Sequence, residues 1–360
     1  MFSATFARFS KKTMRKSLLF LLLLLCAGMP VRAQGQVDRL YFDMRASFHQ
    51  DITDGEYHSQ AVGEYLNFHL LGHITPNIEY RIRQRLNKKV FDERNMFNAT
   101  DFMYVKWQAT ERWSFLAGKS VVMIGGYEYD AAPIDVYFYS QFCDNIYQAF
   151  TFGATVSYQF AEGQNLVGQI CNSPLSLGFQ NVYAYNLAWE GQFAPFWKTI
   201  WSVNFVEDTD KRMVNYVALG NHFIFRDVIF DVDLMNRSGL DQQKFFLSDF
   251  SLISKIIWSV GKWNICGKAG YERNDAANVD PQGRPYDLVI APGTEYVYAG
   301  CGLEWFPLGR DNLRLHAVYY RDNAVRRDNI ELGLTWQVDV INREPRCFRR
   351  RKTGLSHGKA

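Results

Sequence analysis

The feature that most limits what this chain can fold into is an alternation of apolar and polar residues in runs about ten residues long. In the first run Leu40, Phe42, Met44, Ala46 and Phe48 share one parity, and Arg39, Tyr41, Asp43, Arg45 and Ser47 the other. Phe150 to Phe160 and Ile330 to Val340 repeat the pattern, the latter with Leu332, Leu334, Trp336 and Val338 against Glu331, Gly333, Thr335, Gln337 and Asp339. A period of two sends successive side chains to opposite faces of a strand. Roughly 9–11 residues is also what a tilted strand needs to cross a bilayer.

Period two alone suits a soluble sandwich as well, so the connections decide. Long segments at 49–58, 87–99, 124–148, 171–180, 206–213, 237–246 and 273–293 alternate with tight ones at 73–77, 110–112, 161–164, 191–195, 226–227, 261–262 and 306–312, before a shorter 322–328. Long–short alternation is the hairpin pattern of a barrel with external loops and short periplasmic turns. The expected fold is therefore all-β: a transmembrane antiparallel β-barrel of about sixteen strands, both ends periplasmic. Closure follows because every backbone N–H and C=O in hydrocarbon must be paired, and a barrel has no free edge. Lipid would then cover the apolar parity, with Trp113, Trp197, Trp258, Trp263 and Trp305 as interfacial aromatics.

The ends carry other signals. Arg15 and Lys16 precede an apolar run from Leu18 to Ala27 and the sequence Met29-Pro-Val-Arg-Ala33, which reads as an export signal over residues 1–33, with Met14 as an alternative start. Cys26 follows Leu25, which is too large for a lipoprotein signal. The barrel is assigned to 34–342, and the basic segment 343–360 has no apolar face and reads as a disordered tail. The net charge of +3 belongs to these ends. Setting aside their 13 basic residues and one acidic residue leaves 27 Lys and Arg against 36 Asp and Glu, a net −9. Bulk charge thus gives no support to nucleic-acid binding.

Parity assigns charge to the lumen. With Ile78, Tyr80 and Ile82 toward lipid, Arg81, Arg83 and Arg85 form an inward ladder, joined by Arg45, Lys106, Lys268 and Arg314, and by Asp43, Asp231, Asp233 and Glu272. Lipid-facing Arg near the midplane costs roughly 2–4 kcal/mol, so the lumen is the cheaper side. The third long connection holds Glu128, Asp130, Asp135 and Asp144 and, from Gly125 to Gln148, no Lys or Arg. The ladder is expected to face this acidic loop across a constriction, setting a transverse field; the competing reading is that the arginines pair with neighbouring acids and brace the wall.

Several chemistries find little support. The seven histidines have neither metal-ligand spacing nor a serine and acid set, His316 reading as a polar lumen residue, so no cofactor, metal or catalytic group is assigned. Asp275, Asn278 and Asp280 read as a solvated turn rather than a calcium loop. Cys143 and Cys171 are placed in external loops where they could pair, whereas Cys266 and Cys301 fall on opposite faces of adjacent strands and should not.

Trp113-Ser-Phe-Leu-Ala-Gly118-Lys119, Gly125-Gly126-Tyr-Glu128, Tyr139-Ser140-Gln141-Phe142 and Asn172-Ser173-Pro174 resemble the phosphate-selective porin O and P family in its Bacteroidetes-type form. The resemblance implies a sixteen-stranded trimeric porin whose third loop folds into the lumen, and it adds Lys119 to the pore-lining set. It does not carry phosphate specificity over, because the third loop is acidic. Gly333, Trp336 and Val338 in the last run resemble the signal read by the outer-membrane assembly machinery, although a tail follows. The expected activity is passive diffusion of ions and small hydrophilic solutes or anions. A barrel enzyme of the lipid-hydrolase type, a non-channel scaffold and a soluble sandwich are the alternatives.

Overall fold

The structure, a computed structural model, describes residues 35–88, 96–176, 181–309, 313–324 and 327–343. The expected export signal and all of the tail but Arg343 lie outside the described residues. Sixteen strands, each antiparallel to its neighbours, close into one barrel, the last pairing with the first. The closing strand β16 (Arg327–Asn342) sets Trp336 opposite Met44 and Val338 opposite Phe42 of β1 (Gln36–Thr53).

The tight turns fall where the sequence puts them. Glu162-Gly163, Arg226-Asp227 and Gly261-Lys262 each join two strands, with positive φ at Gly163 (68°), Arg226 (53°) and Gly261 (58°) supplying the left-handed backbone of a two-residue hairpin. One expected loop is absent. Instead of a long connection at 49–58, β1 runs on to Thr53 and β2 (Glu56–Thr75) starts after only two intervening residues. Asp54-Gly55, with φ of 50° and 87°, is an Asp-Gly hairpin signal that the polar composition of the segment obscures.

The barrel is dressed inside out. Val105, Trp107, Phe115, Leu187, Ile265 and Leu303 stand exposed on the outer wall, while Asn186, Asn204, Ser251, Glu272 and Glu304 are buried inside. So broad an exposed apolar surface is the kind that marks a membrane or protein contact. The five expected tryptophans flank the tight turns on this outer wall and form one rim, Trp263 stacked on Trp305 at 5.7 Å and Trp113 on Tyr158 at 4.4 Å.

A second core lies within the lumen. Loop L3 (residues 122–149), between β5 (Trp113–Val121) and β6 (Phe150–Ala161), turns inward and buries Val122, Ile124, Phe142 and Ile146 against Leu175, Val206, Tyr216, Met235 and Ile290. Apolar residues of inward parity on the wall thus match an apolar stripe on L3. Among the described residues the four cysteines are free thiols. Cys171 belongs to β7 (Gln164–Asn172) rather than to a loop, which corrects its expected place; Cys266 and Cys301 do lie on opposite faces, on β13 (Trp263–Asn274) and β14 (Glu295–Gly309).

Candidate functional site: the lumen wall and its third loop

On β3 (Ile78–Arg85) the register sets Arg81 opposite Leu71, Arg83 opposite His69 and Arg85 opposite Asn67. These partners are inward residues of β2, so the three guanidiniums share the lumen face. Across from them, β4 (Thr100–Gln108) shifts register between Arg83 and Gln84, leaving Asp101 as an extra residue. Such a bulge re-aims a side chain. The Nε groups of Arg83 and Arg85 donate to one oxygen of Asp101 at 2.9 and 2.8 Å. Arg81 and Arg83 also lie over the Phe102 ring at 4.2 and 4.5 Å, where the ring quadrupole favours a cation. Arg81 Nε and one terminal nitrogen of Arg83 have no hydrogen-bond partner. Two of the three guanidiniums therefore share a single carboxylate, and the third rests on the Phe102 ring.

The expected opposition of ladder and acidic loop takes a different form. Glu128 pairs with Lys268 on β13, which also donates to the carbonyl of Phe138. Asp135 accepts from Arg314 on β15 (Leu313–Asp322) at 2.8 Å, and the same guanidinium donates to Ile134 O at 2.9 Å. Arg45 donates to Ile134 O and Val136 O at 3.1 and 2.9 Å and pairs with Glu64. Arg45, Arg314 and Lys268 are thus the anchors of L3 rather than free pore charge. The cause is that L3 carries backbone carbonyls and carboxylates into an enclosed space, and each needs a donor there. Asp130 and Asp144 remain exposed, Asp144 lining a cavity of about 650 Å³ with Tyr147, Asp287, Tyr296 and Asp322.

Wall acids hold the same loop by its backbone. Asp233, on β11 (Val228–Gly239), accepts from the amides of Tyr127 and Glu128 at 2.9 and 2.8 Å, and Glu272 accepts from Phe142 at 3.1 Å. These amides open two short helical turns, Tyr127–Asp130 and Gln141–Asn145, whose first N–H groups have no partner of their own. Gly126 is needed for this approach: its φ is 107°, and its Cα lies where a Cβ on Gly220 would come within 2.8 Å. Burial opposes charge on Glu128, but the Lys268 ammonium and hydrogen bonding at Ser140 outweigh it, holding the carboxyl below the usual glutamate range. Burial, reinforced by Glu128, pushes the Cys143 thiol well up.

Two expected lysines separate. Lys106 is on the lumen face, 3.4 Å from Glu79. Lys119 is not: the register sets it opposite Met103 and Phe152, on the outer face with Ala117 and Phe115. Its ammonium is covered and donates to Phe97 O at 2.6 Å. The family motif ends on this lysine, but strand parity sends it away from the pore. His316 is buried in the lumen wall, 2.8 Å from Glu331. Asp101, Asp233 and Glu272 organise the site more than composition suggests. The latter two were visible as inward parity, whereas the bulge that delivers Asp101 has no sequence signal.

Known proteins resemble this chain in sequence pattern over part of its length and in fold. Residues 39–199 match the model described as phosphate-selective porin O and P. An anion-selective porin from Comamonas acidovorans superposes with a TM-score of 0.58 at 7% identity, over 85% of this chain and 100% of the other. The outer membrane channel DcaP of Acinetobacter baumannii gives 0.58 at 11% identity, over 87% and 100%. OmpT of Vibrio cholerae, an outer membrane protein in its trimer form, gives 0.55 at 12% identity, over 84% and 99%. No curated protein matches the chain. At these identities the superpositions speak for the fold.

Proposed function

We propose that the chain is an outer-membrane porin for passive diffusion of ions and small hydrophilic solutes that prefers anions, a reading supported by the match of residues 39–199 to the phosphate-selective porin O and P family. The observation that carries the preference is the arginine face of β3. Arg83 and Arg85 share Asp101 and Arg81 stands beside them over Phe102, so among the described residues this wall carries more guanidinium than carboxylate, while Glu128 and Asp135 of L3 are matched by Lys268 and Arg314. A face on which guanidiniums outnumber carboxylates, beside a narrowed path, selects by charge without chemistry. Phosphate in particular is not assigned, since the loop from Gly125 to Gln148 carries Glu128, Asp130, Asp135 and Asp144 and no Lys or Arg.

The rest of the reading goes with this one. The outer wall sits in lipid, residues 1–33 direct export, and both ends of the barrel face the periplasm. Assembly starts from β16 through Gly333, Trp336 and Val338, and the working form is a homotrimer. The test is conductance in planar bilayers under a salt gradient. Wild-type protein gives discrete steps and an anion-selective reversal potential, and Gln at positions 81, 83 and 85 together moves that potential toward cations. No steps at any voltage would remove the channel; an unmoved potential would make the ladder a brace for the wall.

A further inference from the structure

We propose that His49, Glu64 and Glu331 form a binding site for a first-row divalent transition-metal ion on the lumen wall, where β16 closes on β1. His49 and Glu331 are direct cross-strand partners. Glu64 reaches them through a bulge: β1 pairs Arg45 with Tyr65 and Ala46 with Gly63, leaving Glu64 as the extra residue. One donor atom from each of the three lies within 4.8 Å of the others, and His49 Nε2 is 2.7 Å from Glu64 Oε1.

The independent sign of a ligand is Glu331. It is 1% exposed, yet its Oε2 has no hydrogen-bond partner. Leaving a buried charged acceptor unsatisfied is costly; Arg45 already serves one oxygen of Glu64, so the partner still missing is a cation at Glu331 Oε2, which His49 and the other Glu64 oxygen can help to hold. The other oxygen of Glu331 is fixed by His316 Nε2 at 2.8 Å and Ser47 Oγ at 3.0 Å, the outer partners a metal ligand requires. Gly333 makes room for them, since a Cβ there would lie 2.7 Å from the histidine nitrogen and 2.4 Å from the hydroxyl. The His49 side chain is 31% exposed, which gives an ion a way in from the lumen.

One imidazole nitrogen with two carboxylate oxygens suits zinc and its first-row neighbours better than calcium or magnesium, which favour all-oxygen shells. Three protein ligands leave further positions for water or a solute. Binding does not depend on the porin reading, and its test needs no bilayer.

The experiment is calorimetric titration of the full-length, detergent-purified barrel with zinc chloride, folding being verified by heat-modifiable migration. Wild type shows one saturable zinc site per chain, and His49→Ala and Glu331→Gln each weaken it by at least about tenfold, the loss seen when even an outer partner is removed. His58→Ala, an exposed ring beside Glu56, leaves it unchanged. Absence of saturable binding in wild type overturns the site. So does zinc binding that survives both His49→Ala and Glu331→Gln, or calcium binding of equal strength.

Discussion

At the residue scale the decisive contact is Glu128 with Lys268. Glu128→Gln leaves a buried ammonium without its counter-charge, a loss of about 3–5 kcal/mol where such a pair is broken. The expected result is a loosened L3, seen as faster proteolysis within 122–149 and noisier open-channel current, with the barrel itself intact. The acid response follows in sign. The folded carboxyl titrates below its ordinary value, so the tether is fully present above about pH 4 and is lost only as pH falls through the lowered value. Channel noise should therefore be flat from neutrality to about pH 4 and rise below it. A rise already at pH 6 would assign the loop's hold to another group. Lys119 gives the opposite kind of prediction. Because it lies on the outer face against Phe97, Lys119→Met should leave the reversal potential where it was.

At the element scale L3 and β16 do separate jobs. L3 is fastened to β1, β11, β13 and β15 and also to Gln169, Ser202 and Asn204 of the wall, so it crosses the lumen and narrows it. Replacing residues 127–145 with a short Gly-Ser linker should raise single-channel conductance and keep the heat-modifiable barrel; unchanged conductance would mean the loop does not set the bore. In β16 the constraint is space. Gly333→Val adds atoms where Ser47 Oγ and Ala46 O already stand at 2.4 and 2.7 Å, and overpacking of this kind costs about 1–3 kcal/mol. The temperature at which the barrel loses its compact migration should fall accordingly.

At the scale of the whole molecule, folding is an inversion: polar groups fill the inside, and the apolar wall is left for a solvent other than water. The protein should accordingly stay with the membrane fraction after salt or alkaline washing and leave it only with detergent; release into buffer alone would contradict the exposed wall. This inversion, the sixteen strands and the inward arginines were legible in the sequence because strand parity is a local property with a period of two, repeated often enough to outvote errors at the boundaries. The hairpin at Asp54-Gly55 was missed because a polar segment can extend a ribbon as readily as form a loop. What only the tertiary structure decided is which charges meet. Arg83 finds Asp101 through a bulge, Glu128 finds Lys268 from 140 positions away, and His49, Glu64 and Glu331 converge only because the last strand closes on the first. The sequence by itself determined the face on which each charge lies, since that needs only alternation. Its partner depends on register, bulges and ring closure, which bring together residues that no local pattern relates.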